Sequence, residues 1–207
     1  MKRLFDILVS GVALVLLAPA AVVIAILVKI DSPGSAFFRQ VRIGRRGRPF
    51  RLLKFRSMEV SEGAEQGRFD AGSSRRVTRF GRILRKSKLD EIPQLLNILK
   101  GDMSLVGPRP EVRKWTEVYP DRWKTVLEVR PGLTDRASIE FIDEERILAD
   151  SDDPEETYRS IILPKKLDAA EEYVRSRTMM GDFKLILATL LAVFRRPAPA
   201  ETPSHRA

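Results

Sequence analysis

Residues Ile7 to Val28 read ILVSGVALVLLAPAAVVIAILV, twenty-two positions without a charged side chain. A helix of about 20 apolar residues is enough to cross a bilayer. Lys2 and Arg3 stand before the run, and Lys29, Arg39 and Arg42 after it. Positive charge favours the cytoplasmic side, and a straight span cannot place both flanks there. A re-entrant hairpin can. Pro19, near the middle, removes one helix hydrogen bond and is the expected break. A kinked transmembrane helix is the alternative. The run exceeds the apolar core of a signal peptide, about 7–15 residues. Ser10 and Gly11 read as small packing residues.

Downstream the chain becomes polar. Its 207 residues suit one domain plus appendages, and 31% charged residues argue against several membrane spans. No cysteine is present, and the one histidine, His205, stands in a Pro/Ala-rich tail. Disulfides, thiolate catalysis and cysteine metal sites are excluded, and histidine-based triads or metal sites are not expected. Chemistry must rest on carboxylates, Lys, Arg and hydroxyls, with or without a hard metal ion.

The net charge of +9 is uneven: Arg39 to Lys88 holds sixteen Lys/Arg against four acids, while Glu140 to Glu156 holds nine acids and one Arg. A basic block of this kind attracts nucleic acid, anionic lipid or a phosphorylated substrate, unless it is simply a solvated face.

Turn signals and periodicity divide the rest. Asp31–Gly34 reads as a turn, and Ala36–Val41 with Pro49–Phe55 as a hairpin around Gly44–Gly47. Ser61–Ser74 reads as a mobile loop, and Thr78–Lys88 as a basic amphipathic helix for a membrane surface. Leu89–Lys100 is the strongest helix signal, with Leu89, Ile92, Leu95, Leu96 and Leu99 on one face and Gly101 as the stop. Trp115–Val129 reads as a helix whose Trp115, Tyr119 and Trp123 suit a membrane interface or a core stripe equally. Pro131-Gly132 reads as a turn and Lys165–Arg177 as a helix. Phe183–Phe194 is too short to span and is expected to lie in the interface or dock.

The densest chemistry lies in Ser87–Pro110, SKLDEIPQLLNILKGDMSLVGPRP. Pro93 is tolerated only in a helix's first turn, so Asp90 and Glu91 belong at or near a helix N-terminus. There Asp90 is either a cap or a reactive group. Adjacent carboxylates can divide labour, one attacking phosphorus while the other binds a divalent metal. Asp102 is a second candidate for metal or for loop structure. Gly107-Pro108-Arg109-Pro110 fixes one Arg between two prolines, a pre-positioned guanidinium for phosphate. No P-loop or dinucleotide fingerprint is present. Arg46-Gly47-Arg48-Pro49 has the form of a minor-groove hook, but it runs directly into the patterned segment Phe50–Phe55.

These strings resemble the bacterial sugar transferase family, the monotopic phosphoglycosyl transferases that initiate glycan assembly. The resemblance runs from Lys2 to Phe194. It rests on Lys2-Arg3-Leu4-Phe5-Asp6, Lys54-Phe55-Arg56-Ser57-Met58, the block Leu89 to Pro110, and Val129-Arg130-Pro131-Gly132-Leu133-Thr134. It implies that Asp90 and Glu91 are the catalytic dyad. Asp90 would be the nucleophile, and Glu91 would assist with Mg²⁺ (or Mn²⁺) or with the lipid phosphate. It implies substrate-phosphate contacts at Arg109, Arg85 and Lys54, with metal on Glu91 and Asp90 and a further role for Asp102. The substrates would be a UDP-sugar and undecaprenyl phosphate, joined through a phosphoglycosyl-aspartate with release of UMP.

Two positions depart from the family. Ala18 replaces the Ser that precedes Pro19, and Asp135-Arg136-Ala137-Ser138 replaces a Gly-Trp-Ala-Gln string.

The expected fold is mostly α with small β content. It comprises a re-entrant membrane helix over residues 1–30, a compact cytoplasmic domain with interfacial amphipathic helices over 31–196, and a disordered tail over 197–207. The expected place is the cytoplasmic face of the bacterial inner membrane, with anionic lipid as a partner and no nucleic acid. Monomer and homodimer both stay open. The competing reading is a non-catalytic membrane-tethered protein that binds anionic lipid or nucleic acid.

Overall fold

The computed structural model describes residues 1–60, 76–141 and 144–195, so the expected loop Ser61–Ser74 and the 197–207 tail lie outside the described residues. Helix α1, Lys2–Asp31, takes in the whole apolar run. At 1.5 Å per residue it is about 45 Å long. Its backbone stays helical through Pro19. The expected break is therefore not an unwinding: Pro19 withholds only its own N–H from the Val15 carbonyl, and the turns on either side close normally.

Both ends of α1 are tied to the same body. At the start, the Arg3 guanidinium donates to the carbonyls of Ile98 and Leu99 at 2.6 and 3.0 Å, and Lys2 pairs with Asp182. Asp6 accepts from the Ser104 hydroxyl and the Leu105 N–H. At the far end the buried Arg56 donates to the carbonyls of Val28, Ser32 and Pro33 at 3.3, 2.7 and 2.6 Å. The Ser32 and Pro33 carbonyls lie past the last helical residue and gain here a donor the helix does not supply, whereas the Val28 carbonyl also accepts from Ser32 N–H. One face of α1, with Ile24 and Val28, joins the core. The opposite face leaves Leu8, Val12, Val15, Leu16, Val22 and Ile26 more than half exposed.

The expected hairpin forms. Strands β1 (Phe37–Ile43) and β2 (Pro49–Phe55) are antiparallel, with Phe37 opposite Phe55 and Ile43 opposite Pro49. The Arg46-Gly47-Arg48-Pro49 string is the hairpin turn, and Arg46 N–H donates to the Leu127 carbonyl at 2.7 Å. Helix α2 (Arg79–Ser87) is capped by the Thr78 hydroxyl, which accepts from Gly81 N–H. It buries Leu84 and exposes Ile83.

The expected helix Leu89–Lys100 is two pieces: a 3₁₀ turn, Leu89–Glu91, and helix α3, Gln94–Lys100, separated at Pro93. Tighter 3₁₀ winding shifts the phase of the apolar stripe. The buried residues are Ile92, Leu95 and Ile98, while Leu89 and Leu96 are exposed. Gly101 stops α3 in the left-handed region, at φ 96°.

Strand β3 (Ser104–Val106) pairs in parallel with β4 (Gly132–Thr134). Pro131-Gly132 is thus the entry to a strand, not the expected turn. A Cβ on Gly132 would stand 2.2 Å from Gly107 N, and one on Gly107 2.5 Å from the Arg130 carbonyl oxygen. Only glycine lets the two backbones pass this closely.

The expected helix Trp115–Val129 is divided by Pro120 into α4 (Arg113–Thr116) and α5 (Pro120–Val126). Trp115 and Trp123 are core residues, and Trp123 Nε1 donates to the Trp115 carbonyl at 3.0 Å. The aromatic pattern was a core stripe. Short helices α6 (Arg136–Glu140), α7 (Glu144–Ala149) and α8 (Pro154–Thr157) lead to a π-helical turn at Tyr158–Ile162. Helix α9, Leu163–Ser176, holds Pro164 in its first turn, where no donor is missed. Helix α10, Met179–Arg195, packs Leu185 and Ile186 on the core and leaves Met180, Phe183, Leu187 and Leu190 exposed.

The described chain is mostly helical with four short strands. One core cluster joins α1, β2, α2, α3 and β3; a second joins α4, α5 and α9. The segment linking β3 to α4 carries Arg109.

Candidate active site

Lys88 closes α2 in the left-handed conformation, φ 59°, and turns the chain directly into the Leu89–Glu91 turn. The start of α3, next in the chain, has no side-chain cap. The capping reading of Asp90 therefore falls away. Asp90 and Glu91 are instead 6% and 8% exposed, carboxylates that the fold keeps almost entirely from water. Burial of this kind is unfavourable for a charge unless cations or ligands compensate.

The cations come from three other segments. Lys54, the next-to-last residue of β2, places Nζ 3.1 Å from Glu91 Oε1 and 3.9 Å from Asp90 Oδ2. Arg109 Nη2 donates to Glu91 Oε1 at 2.7 Å. Arg85 and Lys88, from the end of α2, act electrostatically on Asp90. The two carboxylates differ sharply in satisfaction. Glu91 is held by two cations, whereas Asp90 Oδ1 is buried with no hydrogen-bond partner among the described residues. The amide nitrogen of Gln94, one helical turn on, is buried and unpartnered as well.

The protonation tendencies follow. Burial pushes the Asp90 carboxyl up and Glu91 adds to the rise; Lys54, Lys88 and Arg85 offset only part of it. Burial opposes the charge on Glu91 too, but Arg109, Lys54 and Lys88 outweigh it and hold Glu91 well below the ordinary carboxylate range. Arg109 is locked in its charged form, chiefly by Glu91. Desolvation lowers the Lys88 ammonium. One carboxylate is a fixed counter-ion, and its neighbour is a desolvated oxygen without a partner.

Asp135 builds the loop that presents Arg109. Its Oδ2 accepts from Arg109 N–H at 3.0 Å, and its Oδ1 caps α6 by accepting from Ser138 N–H at 2.7 Å. Gly107 N–H donates to the Thr134 carbonyl at 3.1 Å and Gly132 N–H to the Pro108 carbonyl at 2.9 Å. The Pro-Arg-Pro segment is thereby pinned on both sides.

Among the residues singled out in the sequence, Asp90, Glu91, Lys54, Arg85 and Arg109 come together. Asp102 does not. It follows Gly101 at the opposite end of α3, where its carboxylate lies 3.4 Å from Asn97 Nδ2. Among the described residues no group of three or more Asp, Glu, His or Cys side chains could hold a metal. Mg²⁺ is commonly bound by one or two carboxylates together with substrate phosphate oxygens. Asp90 and Glu91 fit that arrangement, and Asp90 Oδ1 is the free donor.

The roles of Lys88, Asp135 and Arg56 escaped the sequence reading. Asp is a preferred N-cap residue, and its place just before a helix could have flagged Asp135. Nothing local marks Lys88, since its left-handed backbone arises only between two elements. Arg136, the other departure, pairs with Glu140 and Glu172 on the surface and not with the dyad.

The model of the bacterial sugar transferase family matches residues 1–196. A UDP-glucose:undecaprenyl-phosphate glucose-1-phosphate transferase of Caulobacter vibrioides is 37% identical over 193 residues, 91% of this chain and 68% of that protein. A UDP-N-acetylgalactosamine-undecaprenyl-phosphate N-acetylgalactosaminephosphotransferase of Aeromonas hydrophila is 40% identical over 141 residues, 67% of this chain and 33% of its own. The exopolysaccharide production protein ExoY of Rhizobium meliloti is 44% identical over 148 residues, 64% of this chain and 66% of its own. The chain thus spans only a third of the length of the Aeromonas relative.

Proposed function

The chain belongs to the bacterial sugar transferase family, and from that premise we propose that it moves a sugar 1-phosphate from a UDP-sugar to undecaprenyl phosphate. The observation that carries the mechanism is Asp90 Oδ1, buried and unpartnered beside a carboxylate already neutralised by Lys54 and Arg109.

In the first half-reaction, an Asp90 oxygen forms a bond to the sugar-bearing phosphorus of the donor. The bond from that phosphorus to the bridging oxygen breaks, and UMP leaves with the electron pair. Lys54, Arg85 and Arg109 supply positive charge where the phosphate oxygens would collect, so one anion can approach another. In the second, an oxygen of the lipid phosphate attacks the same phosphorus and expels the Asp90 carboxylate. The product is a polyprenyl diphosphate sugar, and the enzyme is restored. Splitting the transfer lets two large anionic substrates use one pocket in turn. When bound, Mg²⁺ on Asp90 and Glu91 would supply further charge neutralisation at the phosphates.

Membrane placement has its own support. Both ends of α1 hold to one body, through Lys2, Arg3 and Asp6 at one end and Arg56 at the other. A helix crossing the bilayer would leave those ends, and the one body that holds both, on opposite sides of it. We read α1 as re-entrant, its exposed apolar face toward lipid, with α10 and Ile83 of α2 at the interface and the dyad on the cytoplasmic side of the inner membrane. A lipid-binding tether without catalysis would need no buried dyad.

The test is UMP release by the protein in detergent with Mg²⁺, undecaprenyl phosphate and a panel of UDP-sugars, since the relatives are named for glucose and N-acetylgalactosamine donors. Full activity in Asp90→Asn, or no UMP from any donor, would sink the reading.

A further inference from the structure

At the end of α3 opposite the dyad lies a separate cavity of about 290 Å³, near the lower limit of ligand pockets, roughly 300 Å³. Its wall carries Lys2, Arg3, Arg45, Arg130 and Arg177 against two carboxylates, Asp6 and Glu128. Lys2 is matched by Asp182. Three of the guanidiniums are held differently. Arg3 donates to the Ile98 and Leu99 carbonyls, Arg130 Nε to the Gly101 carbonyl at 2.8 Å, and Arg45 Nε to the Glu128 carbonyl at 2.8 Å. A neutral carbonyl fixes a guanidinium in place without cancelling its charge. Each Arg has five N–H donors, so donors remain for a ligand. Asp6 is 2% exposed, and its oxygens are taken up by the Ser104 hydroxyl and the Leu105 N–H. Pre-positioned positive charge of this kind recognises phosphate.

The cavity also has a definite neighbourhood. Phe5 and Phe183 meet edge to face with centroids 4.9 Å apart, so the first turns of α1 and α10 lie side by side. Leu4, next to Phe5, and Met180, one helical turn before Phe183, are 62% and 65% exposed. Apolar residues beside an arginine-lined cavity match the change from acyl chain to headgroup at a bilayer surface.

We propose that this cavity binds the phosphate of an anionic phospholipid headgroup, at a site separate from the dyad. The proposal rests on the membrane placement of α1 and α10 but not on the chemistry of Asp90. The cavity then anchors the domain at a fixed depth and orientation.

The experiment places the full chain in nanodiscs of phosphatidylcholine with or without phosphatidylglycerol and counts retained lipid by native mass spectrometry. The parent should keep phosphatidylglycerol over phosphatidylcholine. Arg45→Gln/Arg177→Gln should retain it about tenfold less well, the loss of at least one charge-assisted bond. Arg45→Lys/Arg177→Lys should hold most of it, because the charge stays. Equal retention by the parent and the glutamine variant overturns the proposal. So does displacement of the lipid by inorganic pyrophosphate, which would make the cavity a free-phosphate site. UMP release by the glutamine variant should equal the parent's, which confirms an intact fold. If neither releases UMP, the transferase reading fails while lipid retention still decides the cavity.

Discussion

Arg109 and Asp135, twenty-six residues apart, meet backbone to side chain: the Arg109 N–H donates to Asp135 Oδ2 at 3.0 Å. The same carboxylate caps α6, so one side chain fixes both the start of a helix and the loop whose guanidinium reaches Glu91 at 2.7 Å. Asp135→Ala should cost about 1–2 kcal/mol of stability through the lost cap. It should also lower kcat, as Arg109 loses its fixed starting point. Asp135→Asn keeps a cap acceptor and should recover most of the stability. Thermal unfolding together with steady-state kinetics separates the two effects. Unchanged kcat in the alanine variant would show that the prolines alone set the loop.

Asp90→Asn should reduce UMP release by about a thousandfold or more, as expected for loss of a covalent nucleophile. Trapping the parent with donor and no acceptor should add one phosphosugar to the intact mass, and the variant should add none. A parent that never gains this mass while turning over would point to direct transfer.

Arg109→Lys keeps the charge but shortens the reach and loses the planar fork. Activity should fall by about a hundredfold, the cost of one transition-state donor. A smaller loss, within a factor of about three, would assign Arg109 to holding Glu91 only.

In chelator-treated protein, carboxyl-carbon NMR should find Asp90 titrating above the ordinary Asp value of about 3.9 and Glu91 below the ordinary Glu value of about 4.3. Asp90 is raised on folding, so its buried charge opposes stability at neutral pH and is relieved as pH falls through its folded value. Glu91 is depressed, so its contribution is present above its unfolded value and is lost as pH falls toward its folded one. Glu91→Gln removes a repelling carboxylate and frees Lys54 and Arg109, so the Asp90 midpoint should move down. An upward movement would contradict this electrostatic account.

The chain has no cysteine, so single cysteines report cleanly. One inserted after Met1 and another at Ser35 should both be labelled by a membrane-impermeant thiol reagent in inverted inner-membrane vesicles, and neither in intact spheroplasts. Labelling from opposite sides would establish a span and rule out the re-entrant helix.

Ile98 is fully buried beneath α1 and β2. Ile98→Ala should destabilise by about 2–5 kcal/mol, read by denaturant unfolding. A change below about 1 kcal/mol would mean the core relaxes around the cavity.

Much of the frame was legible because it is local. The apolar run, the hairpin, the Thr78 helix start and the Gly101 stop each follow from a few consecutive residues whose backbone preferences agree. The dyad's place next to Pro93 followed in the same way, from a ring that cannot donate. Where the sequence misled, a proline or a long-range contact intervened. Pro120 split one expected helix, and the 3₁₀ turn rotated the stripe so that Ile98 was buried and Leu96 was not; between the two readings left open for Trp115 and Trp123, packing with α9 decided for the core.

What the sequence by itself determined is the inventory: an apolar helix, two adjacent carboxylates, a basic middle and an arginine between prolines. Only the tertiary structure decided their relations. Lys54, Arg85, Glu91 and Arg109 belong to four segments, and no periodicity brings them together. The close passage of Gly107 and Gly132, where backbones without a Cβ can cross, and the hydrogen bond from Arg109 to Asp135 place the Arg109 loop, while β2 and α2 pack on the Leu89–Glu91 turn and bring Lys54 and Arg85 to it. The same packing shelters Asp90 from water and leaves one of its oxygens without a partner. That separates a buried carboxylate with an unpartnered oxygen from a helix cap.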